Sequence, residues 1–120
     1  MRYGLHGLKE RNTMKVLDNE PWLWHLLEDG DILYLDATCS HSAVDYSVII
    51  VLNEAERAAY EAKGRTYLNT LAHDIHYSAP GVIGSQSPFK SRNLKMSDKE
   101  VAEKIFNALM ASAKAASSST

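Results

Sequence analysis

Cys39 and His41 stand two residues apart at a predicted strand end, and a thiol beside an imidazole is the pairing from which activated cysteine nucleophiles are made. Alternation along that strand places Cys39 on the same face as the tryptophans, where a free cysteine normally serves as inert packing. His73 and His76 lie three apart, with Asn69 four before His73, so one helix flank carries donors at a spacing that can hold a metal. Asp74 points about a quarter-turn away from His73 on that helix, and the set lacks a third strong ligand. No metal and no cofactor are expected. His25 faces Tyr34 across a predicted hairpin, diagonal to Asp36, which reads either as a proton-transfer group or as a sheet-surface hydrogen bond.

The stretch with the richest binding chemistry is Phe89, Lys90, Ser91, Arg92 and Asn93, where an aromatic ring sits beside two bases and a hydroxyl. That combination suits an anion or the acidic face of a partner. Its structural alternative has Phe89 anchoring the loop to the core while Lys90 and Arg92 are solvated. It is not a phosphate cradle, because Gly81 and Gly84 lack the strand–turn–helix setting and the Gly-Lys-Ser/Thr ending.

The elements that must position these groups are organised around Val44–Leu52, a β-branched run that reads as a central strand. Before it, Trp22–Glu28 and Asp31–Cys39 flank Asp29-Gly30, the signal for a two-residue hairpin turn. With Asp29-Gly30 as the loop, Leu26 faces Leu33 and Trp24 faces Leu35. Trp22, Trp24, Leu26, Leu33, Leu35, Ala37 and Cys39 then share the expected buried face. Thr13–Leu17 is a weaker strand, ended by a turn at Asp18–Pro21, and Tyr3, Leu5 and Leu8 are the packing candidates upstream of it. Ile49 and Val51 make the second face of the central strand apolar as well, which calls for cover on both sides.

Asn53 with Glu56 forms a capping box that opens a helix over 54–78, whose apolar stripe runs Tyr60, Gly64, Tyr67, Leu68, Leu71, Ile75. Gly64 on that stripe implies close approach to the sheet or a break in the helix. Ala79-Pro80-Gly81 ends the helix, a long loop follows to Met96, and Ser97–Glu100 caps a second helix over 98–114. The expected fold is α+β: an antiparallel meander of three or four strands covered by two α-helices gathered on one face. It forms a single domain over residues 1–115, with a disordered tail at 116–120.

A chain of 120 residues with 45% apolar and 23% charged residues can close one core without staples. One cysteine, no membrane-length apolar run and no apolar signal core near the start give the expectation of a cytoplasmic protein. Net charge is −2, yet ten acids fall between Thr13 and Ala62 against only Lys15 and Arg57, and the other eleven bases lie at the ends. An acidic sheet with basic flanks argues against nucleic acid and suits a basic protein partner, or simply a solvated face.

The general shape is loosely like that of some bacterial inhibitor or immunity proteins, a likeness that carries no residue. The leading expectation is a non-enzymatic protein-interaction module of binding or inhibitor type. The alternative is a small ligand-binding protein or enzyme with a pocket between sheet and helices, using His25, Tyr34 and Asp36, or Cys39 and His41. Self-association stays open through Ile49 and Val51.

Overall fold

The structure, a computed structural model, describes residues 14–42 and 44–118. Four antiparallel strands form one sheet in the order of the chain: β1 (Lys15–Glu20), β2 (Trp24–Asp29), β3 (Ile32–His41) and β4 (Val44–Val51). Helices α1 (Glu54–Lys63), α2 (Arg65–Ser78), α3 (Leu94–Ser97) and α4 (Lys99–Ser118) follow. The α+β meander is the one the alternating strand patterns imply. Tyr3, Leu5 and Leu8 lie outside the described residues.

The β2–β3 hairpin is offset from the predicted register. Asp29 pairs with Ile32, Leu26 with Leu35 and Trp24 with Ala37, so the loop residues are Gly30 and Asp31. A two-residue offset preserves which side chains share a face, and the facial grouping holds. Trp22 leaves its predicted face, however, because the chain turns at Pro21–Leu23 instead of at 18–21. In β1 the register shifts between Val16 and Asp18. That bulge sends Val16 to one face of the sheet and turns Asp18 to the other, beside Glu20.

The two long helices lie on opposite faces, so the expectation that both gather on one face is corrected. One core joins Trp24, Leu26, Leu35, Val48 and Ile50 to Leu68, Leu71 and Ile75 of α2. The second joins Leu27, Tyr34 and Ile49 to Ile105, with Val101, Ala108 and Leu109 of α4 packed around it. The stripe of α4 is as apolar as that of α2, and the two-sided character of β4 accommodates both.

The predicted 54–78 helix is two helices. Gly64 adopts φ +66 and breaks the run, and its α-carbon faces open space, so the break rather than close packing is what the glycine serves. Asp98, not Ser97, caps α4, accepting from the Val101 N–H at 3.2 Å. The helix continues through Ser118, later than the tail expected from residue 116, as alanine-rich sequence extends helices readily. Among the described residues, no helix is long and apolar enough to cross a membrane.

Candidate functional site

The predicted binding loop is folded back onto its own protein. Phe89 packs against the α2-side core, and the Arg92 guanidinium lies 5.7 Å above its ring. Arg92 donates to both Glu56 carboxylate oxygens at 2.9 and 2.7 Å and to the Val51 carbonyl at 2.7 Å. Burial alone would raise the Glu56 carboxyl. The Arg92 guanidinium and the Asn53 N–H outweigh it and hold the group below the usual carboxylate range. Asn93 Oδ1 accepts from the Ile49 N–H at 3.0 Å and from the Lys95 N–H that opens α3. Ile49 N–H and Val51 C=O lie on the outer side of β4, away from β3, because Leu52 and its even-numbered neighbours bond to β3. Arg92 and Asn93 therefore seal the upper half of a sheet edge. Lys90 and Ser91 remain exposed.

Replacing Asn93 by Ala removes two hydrogen bonds at once and strands the Ile49 N–H. The expected loss is about 1–3 kcal/mol, read as a lower midpoint in urea denaturation with unchanged slope.

The alternative pocket residues divide between the two faces. His25, Tyr34 and Asp36 lie on the α4 side, with His25 directly opposite Asp36. Burial pushes Asp36 up to about 6, against the opposing pull of Lys95 and a hydrogen bond from Ser47. Burial likewise lowers His25 and raises Tyr34. Cys39 and His41 lie on the α2 side, Cys39 buried and His41 exposed at the strand end. Burial pushes the Cys39 thiol up to about 11, although it shares a hydrogen bond with Tyr46. Such a thiol is the opposite of an activated nucleophile. Labelling of Cys39 by a soluble disulfide reagent at pH 8 is expected to run at least ~100-fold slower in the folded protein than in denaturant; equal rates would contradict the burial.

Part of the charge asymmetry closes within the fold. Arg65 from α2 holds Asp18 and Glu20 together, Lys104 of α4 binds Asp29 at 3.0 Å, and Arg92 holds Glu56. Bases from the flanks thus meet acids of the sheet and of α1 inside one molecule. Asp31, Asp45, Glu54 and Glu61 remain exposed.

An apolar concavity lies elsewhere, between α2 and the ends of β2 and β3. It has a volume of about 430 Å³ and is lined by Leu23, Trp24, Thr38, Asn69, Ala72, His73, His76 and Tyr77. Trp24 is fully buried there, its indole N–H donating to Asn69 Oδ1 at 2.8 Å and Arg65 lying 5.4 Å above its ring. The Asn69 oxygen is thus engaged, leaving two imidazoles of the predicted metal flank. Among the described residues no cluster of three ligating side chains forms. On the α2 wall, His73 stacks against Tyr77 with ring centroids 4.3 Å apart.

Directly before Leu23, which lines the groove, stands a residue whose conformation is costly. The Leu23 N–H donates to the Glu20 carbonyl at 2.9 Å, closing a turn with Pro21 second and Trp22 third at φ +71. Proline followed by a positive φ is the type II pattern, and its third position favours glycine. A tryptophan stands there instead, 89% exposed. Leu23 beside it is 53% exposed and Tyr77 across the groove 73%. The Pro21-Trp22 pair was the available sequence signal, since proline at a turn's second position places the next residue at the tip. Nothing local linked the following Leu23 and Trp24 to Asn69 and Tyr77, which tertiary packing brings to the same groove.

Compared with known proteins, the chain matches no family model, no curated protein and no solved structure.

Proposed function

We propose that this protein is a non-enzymatic binding module, and that the groove between α2 and the sheet receives an apolar or aromatic side chain carried on a segment of a partner protein. The observation that carries this reading is Trp22, a large aromatic held exposed at a glycine-favouring turn position, one residue before Leu23 in the lining of an apolar groove. Backbone strain of this kind persists where surrounding structure enforces it, and it concentrates at sites of function. Exposed tryptophan and tyrosine around a groove are the residues that dominate binding energy at protein interfaces. The imidazoles of His73 and His76 offer hydrogen bonds at one wall, which would orient the incoming segment.

Among the described residues no activated nucleophile supports a catalytic role: Cys39 is buried, and His25 and Asp36 lie on the far side of the sheet from the groove. The expected partner is recognised by shape and apolar contact, because the groove's lining holds no acidic or basic side chain beyond the two imidazoles. Retention should accordingly survive high salt.

The test is affinity capture with immobilised protein at low and high salt, comparing the wild type with Tyr77→Ser. Tyr77 is mostly exposed, so its replacement leaves the fold intact. A protein held by the wild type at both salt concentrations and released by Tyr77→Ser is the expected result. Equal retention by the variant, or retention only at low salt, would sink the groove as the site.

A further inference from the structure

Among the described residues the lower half of the β4 edge is unpaired, in contrast to the upper half that Arg92 and Asn93 seal. Asp45 and Ser47 share the outward orientation of Ile49, since Leu52 N–H donates to Leu33 and the even positions bond inward. Their outward backbone groups have no hydrogen-bond partner among the described residues. Alongside them runs an open trough of about 550 Å³ bordered by Val44, Tyr46, Gly81, Lys95 and Met96. A second concavity on the other side of the same edge is lined by His41, Val44, Tyr46 and Ile83. Val44, Ile83 and Met96 are all exposed apolar side chains, and they flank the unpaired strand from both sides. An unpaired edge with apolar flanks is a template for another strand.

We infer that this edge is the interface between two copies of the chain, with β4 pairing antiparallel to β4 of a second copy across a two-fold axis at Tyr46. The register is selected by residues on the page. Setting Asp45 opposite itself would bring two carboxylates together, which is unfavourable in a cross-strand pair. Setting Ser47 opposite itself would demand the Ile49 N–H, which Asn93 already occupies. The register between these sets Asp45 opposite Ser47 in both directions, so each exchanges N–H and C=O bonds with the other.

Three consequences of this register agree with the monomer. Each incoming strand begins at Val44, opposite Val48, and so stops short of the sealed positions Ile49 and Val51. Asp45 of one copy comes beside Ser47 of the other, at the end of the trough that Lys95 lines, so the proposed register brings Asp45 of each copy toward Lys95 of the other. The two Tyr46 rings meet across the axis on the other face, next to Gly81, whose missing side chain leaves room for the ring: a Cβ there would lie 2.5 Å from Tyr46. The isologous arrangement closes on itself and yields a dimer, not a fibre.

The experiment is sedimentation over a range of concentrations with the full chain. The wild type is expected to move from monomer to dimer. Asp45→Pro removes an outward N–H without touching the β3 ladder, and should weaken the dimer at least ~tenfold while circular dichroism is unchanged. Asp45→Lys should weaken it as well, and the charge-swapped double variant Asp45→Lys, Lys95→Asp should restore it. A wild type that stays monomeric at every concentration overturns the proposal. So does a dimer indifferent to both Asp45 variants, or a double variant no better than Asp45→Lys alone.

Discussion

Replacing Asp36 by Asn is expected to stabilise this protein by about 3 kcal/mol at pH 7 and by almost nothing near pH 3.5. Asp36 is 7% exposed, and burial pushes its carboxyl up to about 6 from an ordinary 3.8. The folded state therefore binds the proton more tightly than the unfolded chain. Stability from this group is present in full below the unfolded value and falls as pH rises through the interval from 3.8 to about 6. Two pKa units at 1.36 kcal/mol each give the magnitude. Asn keeps an oxygen to accept from Ser47 and carries no charge, so the variant loses the pH-dependent decline and keeps the hydrogen bond. Other groups titrate in the same range, Glu56 with the opposite sign, and the difference between wild type and variant isolates Asp36. Urea denaturation of both proteins between pH 3.5 and 7.5 reads it directly. Parallel curves would show that Asp36 is not ionised at a cost.

The second large effect concerns Trp22, where stability and function should move in opposite directions. Glycine relieves the positive φ that an L side chain resists, worth about 1 kcal/mol. Little packing is lost, because the indole is almost wholly exposed. For a domain of this size the gain corresponds to a rise in Tm of about 4 °C. If Trp22 is an anchor for a partner, its removal should weaken binding by at least ~2 kcal/mol, roughly 30-fold. A residue that costs stability and repays it only on binding is the signature of a functional trade-off.

Local signals carried much of the architecture. Asn53 and Glu56 form the reciprocal cap their spacing implies, with both bonds present at 2.9 and 2.8 Å. The period-2 alternation of β2, β3 and β4 assigned side chains to the correct faces even where the hairpin register was offset. The arrangement of helices was harder to read. Ile49 pointed to cover on the second face, yet which helix supplies it depends on packing that no local pattern encodes.

The binding chemistry was the least legible part. Phe89, Arg92 and Asn93 look like a recognition loop because aromatic, basic and amide groups are adjacent in sequence. Their partners are Glu56, Val51 and Ile49, some forty positions away, and only folding reveals that they close an edge. Part of the charge segregation resolves in the same way, since Arg65 and Lys104 return to acids they are separated from in sequence. Alternation assigns Trp22 to a buried face, yet Pro21 before it ends the strand pattern.

The measurement that bears most directly on the proposed function is a paired one on Trp22→Gly: thermal unfolding, and capture of the salt-resistant partner that the wild type retains. Higher stability with capture abolished is the expected outcome, and it would identify the exposed indole as an element kept for binding. Unchanged capture by a stably folded Trp22→Gly protein would contradict it, leaving the indole without a role in recognition.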